Sequence, residues 1–113
     1  MKTTRFCSIL ALSAVPVLAW SQAGAPSGDP AAGQRKTQMC AGCHGIPGWR
    51  TAYPEVYGVP KIGGQHPAYI VKALQEYKSG ERSHPSMKAI AASLSEKDMA
   101  DLAAYYGGAP ASK

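Results

Sequence analysis

The feature that most constrains this chain is a C-x-x-C-H motif formed by Cys40, Cys43 and His44. At the end of a helix, thiols three positions apart lie on one face, about one turn apart. Both thiols can then add to the two vinyl groups on one edge of a haem, and the histidine that follows can reach the iron. The motif therefore predicts a c-type haem, with thioethers at Cys40 and Cys43 and with His44 as the proximal iron ligand.

Two other kinds of site use a similar pair of cysteines. A thioredoxin-like redox pair is found in a βαβ unit, and half of a zinc site requires a second pair of ligands. The sequence contains no second cysteine pair, and the chain after the motif has the pattern of loops and short helices. Haem attachment is therefore the favoured interpretation.

The first residues have the pattern of a secretory signal peptide. A positively charged start precedes an apolar run over residues 6–19, which is too short to span a membrane comfortably, and small residues follow at 21–23. We expect residues 1–23 to be cleaved after export to the periplasm, which leaves no transmembrane span in the mature chain; an uncleaved anchor is the alternative. Cys7 leaves with this segment, so the mature chain keeps only the two motif cysteines.

The remainder of the 113 residues is long enough for one small domain. We predict a flexible lead over residues 24–28, a domain over residues 29–108 and a tail over residues 109–113. A domain of this size buries little apolar surface, and a bound haem supplies a large apolar body around which it can fold.

The number and the distribution of charges do not suggest nucleic acid as a partner, and none is predicted. The full sequence has a net charge of +5, and removal of the predicted signal peptide leaves ten basic and seven acidic side chains. The basic residues are scattered singly, without the clustered cations and aromatic side chains of nucleic-acid sites. A weakly positive surface suits brief docking to an acidic redox protein. No large apolar surplus beyond the core is evident, so we predict a monomer.

Helix signals appear at both ends of the domain. Asp29 is an N-cap residue before a proline, and a helix is predicted over residues 31–39. Gly33 is unfavourable inside this helix, so we expect another backbone or ring to approach it closely; an accidental surface glycine is the alternative. At the other end, Ser95 caps a last helix that stops at Gly107-Gly108.

Between these helices the sequence predicts first an irregular loop and then two more helices. Residues 45–65 are rich in Gly, Pro and Tyr, so neither regular helix nor sheet is expected there. Their apolar side chains are expected to pack on the haem: Trp49, Tyr53, Tyr57, Val59 and Ile62. The carbonyl of Pro60 is a candidate acceptor for the second ring nitrogen of His44, although Pro60 could equally serve only to stiffen a turn. Two further helices are predicted over residues 67–78 and 87–94. The first is expected to end at Ser79-Gly80, before a polar turn over residues 81–85. It carries one apolar stripe: Tyr69, Ile70, Ala73, Leu74 and Tyr77.

The order of these motifs resembles that of class I cytochromes c, and covers nearly all of the mature chain. The resemblance rests on CAGCHG from Cys40, PKIGGQ from Pro60, the Tyr69 to Arg82 segment, Met87, and the LS and DMADLAAYY segments that follow. It is strongest to the short soluble periplasmic monohaem members and to single halves of proteobacterial dihaem cytochromes. One departure is the 42-residue gap between His44 and Met87, which contains an insertion-like loop.

The resemblance implies an all-α, class I cytochrome c fold, in which three to four short helices wrap around one covalently bound haem c. It implies His44 and Met87 as the axial ligands, and it implies that Gly33 meets Tyr105 where the first and last helices cross. Met87 follows a turn and precedes a helix, so its side chain is free to reach a haem. The alternatives for the distal position are His84, His66 or an open sixth site.

A haem iron held by histidine and methionine has no free position for a substrate, so we predict an electron carrier rather than an enzyme. Its partners would be a donor and an acceptor redox protein, with outer-sphere transfer of single electrons. One alternative is a cytochrome subunit of a periplasmic or membrane-associated dehydrogenase or oxidase complex. Another is a haem enzyme or gas sensor with an open sixth position.

Overall fold

The computed structural model describes residues 27–52 and 56–110. The predicted signal peptide, most of the lead, Tyr53 and residues 111–113 lie outside these ranges. The elements are α1 (Pro30–Arg35), α2 (Gln38–His44), β1 (Arg50–Thr51), β2 (Tyr57–Gly58), α3 (Pro67–Ser79), α4 (Pro85–Ala92) and α5 (Glu96–Gly108). The all-α class is confirmed.

The described chain has five helices rather than three to four, because the predicted first helix is divided. α1 ends at Arg35, and Lys36 and Thr37 form a turn before α2 begins. The Thr37 hydroxyl donates to the carbonyl of Gln34 at 2.8 Å, and the Lys36 ammonium reaches α5. These contacts fix a break inside a segment whose residues, apart from Gly33, all tolerate helix.

The expectation of no sheet over residues 45–65 was wrong in one detail. β1 and β2 form an antiparallel pair in which Arg50 faces Gly58 and Thr51 faces Tyr57. Each strand has only two residues, so the apolar alternation that identifies longer strands has no room to develop. The pair closes a short hairpin in the loop between α2 and α3.

The predicted ends of the helices are confirmed where a local cap determines them. The Asp29 side chain accepts from the backbone N–H of Ala31 at 2.9 Å. Ser95 and Asp98 form a capping box at the start of α5, in which each side chain accepts from the backbone N–H of the other. Gly80 ends α3 with a φ of 89°, a left-handed conformation that glycine adopts without strain.

The core lies where α5 packs between α1 and α3. Met99 and Leu102 of α5 are fully or nearly fully buried, and Ile70 and Val71 supply the α3 side. A Cβ atom at Gly33 would lie 2.0 Å from the Asp101 carbonyl oxygen and 2.9 Å from the Tyr105 Cβ. Gly33 therefore meets Tyr105 at the crossing of the first and last helices, as predicted.

An ionic cluster closes the same crossing. The side chain of Asp101 is fully buried, and it accepts from the Asp29 backbone N–H and the Lys36 ammonium, each at 2.8 Å, and from the Lys97 ammonium at 3.0 Å. Asp98 is 2.6 Å from the same Lys36 ammonium. The lysine hydrogen bonds hold the pKa of both carboxyl groups well below their usual range. Gly28 also packs against the backbone of α5, so it too contacts the rest of the domain.

No helix in the described ranges is both long enough and apolar enough to cross a membrane.

Candidate functional site

A cleft of about 240 Å³ lies between α2, the loop that follows it, α3 and α4, with α5 behind it. Its walls are mostly apolar. The stripe predicted on α3 faces into it, through Tyr69, Ile70, Ala73, Leu74 and Tyr77, and α5 contributes Leu102 and Tyr106. A long flat apolar group would be covered on both faces by such walls.

One wall is α2, which carries the C-x-x-C-H motif. Cys40, Cys43 and His44 all line the cleft, because i and i+3 positions of a helix share one face. Burial raises the pKa of the Cys40 thiol, and its hydrogen bond with Tyr106 acts in the opposite direction. Burial, and next its electrostatic interaction with the ionised form of Cys40, raises the pKa of the Tyr106 phenol far above its ordinary value. Both groups are therefore neutral at pH 7.

The imidazole of His44 is oriented by the loop. Its Nδ1 lies 2.6 Å from the carbonyl oxygen of Pro60. A carbonyl can only accept, so this hydrogen bond places the ring proton on Nδ1 and leaves the lone pair on Nε2 available to a metal. The carbonyl of Pro60 therefore accepts from the second ring nitrogen of His44, which is the first of the two roles considered for Pro60.

The first turn of α4 and the residue that caps it carry the candidates for a second ligand. Met87 is in the first turn of α4 and lines the cleft, as does His84. The Nδ1 atom of His84 caps α4 by accepting from the Met87 backbone N–H at 3.4 Å. In a neutral imidazole that accepts at Nδ1, the proton lies on Nε2, which then has no lone pair to offer a metal. His66, the other rival, is not among the residues that line the cleft.

Of the described loop residues that were expected to pack on the cofactor, three line the cleft and one does not. Tyr57, Val59 and Ile62 line the cleft, whereas Trp49 does not and is 43% exposed. Among the other methionines, Met39 lines the cleft beside Cys40, and Met99 is fully buried in the core.

One group of cleft residues was not predicted. Arg82 lies in the connection between α3 and α4, and its guanidinium lies over the rings of Tyr69 and Tyr77 at 5.6 and 5.4 Å from their centroids. Sequence patterns assigned the two tyrosines to a core stripe and the arginine to a polar turn. No local signal links them, because the contact depends on how the chain reverses direction at Gly80.

The donor set fits a haem rather than a bare ion. Two thiols lie one turn apart on one helix, an oriented imidazole follows them, and a thioether lines the same apolar cleft. Thiol, imidazole and thioether groups are the donors with which a protein would hold a haem c, and the apolar walls would suit a porphyrin ring.

Comparison with known proteins agrees with this assignment. Residues 30–106 match the family model described as Cytochrome c. The chain is 40% identical to cytochrome c4 of Thiocapsa roseopersicina, covering 79% of this chain and 45% of that protein. It is 37% identical to cytochrome c-554(548) of Halomonas halodenitrificans, covering 71% of this chain and 95% of that protein.

The solved structure of reduced recombinant cytochrome c4 from Pseudomonas stutzeri superimposes with a TM-score of 0.55. The two chains are 31% identical, and the match covers 74% of this chain and 50% of the other. The chain thus spans about half the length of the cytochrome c4 proteins that it matches.

Proposed function

Because this chain belongs to the cytochrome c family, we propose that it carries single electrons between redox proteins through one covalently bound haem c. The cytochrome c fold and the haem cofactor expected from the sequence are confirmed by the family match and the structural neighbour. The observation that supports the proposed role best is the cleft, in which the C-x-x-C-H motif of α2 and the first turn of α4 face one apolar space.

Cys40, Cys43 and His44 would hold the cofactor from the α2 side. The two cysteines would form thioethers, and His44 would bind the iron through Nε2, the nitrogen left free by the contact with Pro60. A second ring nitrogen bonded to a backbone carbonyl fixes the orientation of the imidazole and strengthens it as a donor. Pro60 would therefore orient the proximal ligand without touching the cofactor.

Met87 would supply the distal ligand. The cap that His84 makes to α4 uses one of its ring nitrogens and places the ring proton on the other. Iron binding by His84 would require breaking this cap, and His66 lies outside the cleft wall. The sulfur of Met87 needs no such change.

This arrangement suits electron transfer rather than catalysis. Haem iron alternates between the ferrous and ferric states, and a methionine ligand raises its reduction potential. Protein donors on both sides would leave no position for a substrate. The apolar side chains of α3 and α5 keep water away from the site, which limits solvent reorganisation when the charge changes.

We further propose that the carrier works as a monomer in the periplasm, after removal of residues 1–23. Covalent haem attachment requires both thiols in the reduced form, and after removal of Cys7 the mature chain would have no third cysteine to compete for either of them. Donor and acceptor would dock transiently. Gel filtration of native periplasm separates this role from that of a complex subunit, because a carrier would elute as a small free protein.

Replacement of Met87 tests the site directly. The mature parent protein should be six-coordinate and low-spin in both oxidation states, with a sulfur-to-iron charge-transfer band when oxidised. Met87→Ala should abolish that band, lower the reduction potential and allow carbon monoxide to bind the reduced protein rapidly.

Met39→Ala is the matched control, because Met39 also lines the cleft but lies beside Cys40. It should retain the band. A Met87→Ala protein that keeps both the band and the parent potential would exclude Met87 as the ligand. Rapid carbon monoxide binding by the reduced parent would instead favour a haem enzyme or gas sensor.

A further inference from the structure

Residues 80–84 connect α3 to α4, and we call this segment the distal connection because it leads into the first turn of α4, which carries Met87. The distal connection begins at the left-handed Gly80 and ends at His84, the N-cap of α4. Met87 is only three residues beyond His84. The position of the Met87 sulfur therefore depends on how firmly this short segment is held against the helices around it.

Arg82 fastens the distal connection to α3 through several atoms. Its two terminal guanidinium nitrogens donate to the Tyr69 hydroxyl at 3.2 and 3.3 Å. Its Nε lies 3.3 Å from a carboxylate oxygen of Glu76, and its backbone N–H donates to the Glu76 carbonyl at 3.1 Å. The central carbon of the guanidinium also lies within about 6 Å of the Tyr69 and Tyr77 ring centroids, the range of a cation–π contact.

A second contact holds the other end of the distal connection. The His84 ring meets the Tyr57 ring edge to face, with 5.4 Å between the centroids. Because the same imidazole caps α4, the first turn of that helix is tied to the hairpin. Arg82 thus holds the segment on the α3 side, and His84 holds it on the hairpin side.

We propose that Arg82 is a positioning residue, which holds Met87 at the iron by locking the distal connection onto Tyr69, Tyr77 and Glu76. This inference rests on the proposed assignment of Met87 as the distal ligand. Arg82 does not bind the iron. Its role is to make departure of the Met87 side chain costly, because that departure requires the segment to leave α3.

The binding of added imidazole to the ferric holoprotein measures this role. Imidazole can bind the iron only in molecules whose Met87 has left, so its apparent affinity reports the population of the opened segment. Arg82→Gln removes the positive charge and the paired N–H donors of the guanidinium. It should raise imidazole affinity about tenfold, the size expected when a charged hydrogen bond and a cation–π contact are lost together. Arg82→Lys keeps the charge but not the planar fork, and should show most of this increase.

Two control variants separate positioning from general destabilisation. Lys72→Gln removes another cation bound to Glu76 at 3.2 Å, but Lys72 is not a cleft residue, so imidazole affinity should stay within about twofold of the parent. Ser95→Ala weakens α5 without contacting the distal connection, and should lower the unfolding temperature without raising imidazole affinity.

The outcomes distinguish this inference from the assignment of Met87. If Arg82→Gln binds imidazole with the affinity of the parent, the positioning role is wrong. If in addition its reduction potential differs from that of the parent, Arg82 acts only through its charge. In a Met87→Ala background, Arg82→Gln should add no further increase, and an added increase would also overturn the inference. A parent protein without the sulfur-to-iron band would contradict the ligand assignment itself.

Discussion

Substitution of Gly33 by alanine tests the crossing of the first and last helices. A Cβ atom there would lie 2.9 Å from the Tyr105 Cβ, whereas packed carbon atoms lie about 3.5–4.0 Å apart. It would also lie 2.0 Å from the Asp101 carbonyl oxygen, which belongs to the backbone of α5 and cannot move alone. To accommodate the methyl group, α1 must move away from α5, which also stretches the hydrogen bond from the Asp29 N–H to the Asp101 carboxylate.

The free-energy cost follows from two opposing effects. Overpacking costs about 1–3 kcal/mol, and a 2.0 Å approach to a backbone oxygen belongs to the upper part of this range, about 2–3 kcal/mol. Alanine is favoured over glycine in a helix by about 1 kcal/mol, which offsets part of that cost. We therefore expect Gly33→Ala to lower the free energy of unfolding by about 1–2 kcal/mol. For a domain of about 80 residues this corresponds to an unfolding temperature about 5–15 °C lower.

Thermal unfolding of the holoprotein, followed by far-ultraviolet circular dichroism, measures this shift. Gly108→Ala is the matched control, because Gly108 is also helical but a Cβ there would meet nothing within 4 Å. Because alanine has the higher helix propensity and meets no obstacle there, that variant should unfold between the temperature of the parent and about 5 °C above it. A Gly33→Ala protein that unfolds at or above the temperature of the parent would refute the backbone contact between α1 and α5.

Two further predictions concern the ends and charges of α5. Ser95→Ala removes half of the capping box and should lower the free energy of unfolding by about 1 kcal/mol in urea titrations; an unchanged midpoint would mean that the cap adds no stability. The second concerns acid. Because Asp98 and Asp101 have depressed pKa values in the folded state, their stabilisation is present above the ordinary carboxyl pKa of about 4 and is lost as the pH falls below it. Asp101→Asn should therefore give a shallower loss of stability between pH 5 and pH 2, and parallel curves would contradict the pairing with Lys36.

The parts of the fold that local chemistry determines were predictable from the sequence. Asp29 and Ser95 satisfy backbone N–H groups two or three residues away, so a short window of sequence contains the whole interaction. The end of α3 is also determined locally, because Gly80 adopts a left-handed conformation that stops the helix. The C-x-x-C-H motif is the strongest case, since its chemistry lies within five consecutive residues.

The features that were missed depend on partners far along the chain. The turn that separates α1 from α2 is held where Lys36 reaches Asp101, 65 residues away. The two-residue strands arise from pairing across the loop rather than from any alternation of residues. Arg82 meets Tyr69 only because α3 ends and the chain turns back along it. Such contacts have no periodic signature, so residue patterns could not place Arg82 at the cleft.

The bond between the Asp29 backbone and the side chain of Asp101 also determines where the ends of the domain lie. From Asp101 the last helix rises about 1.5 Å per residue, so its end at Gly108 is about 10 Å further along the axis. A linker of about five extended residues could span that distance, at roughly 3.3 Å each. The domain should accordingly tolerate circular permutation, with its old termini joined and new ones opened in the exposed loop after α2.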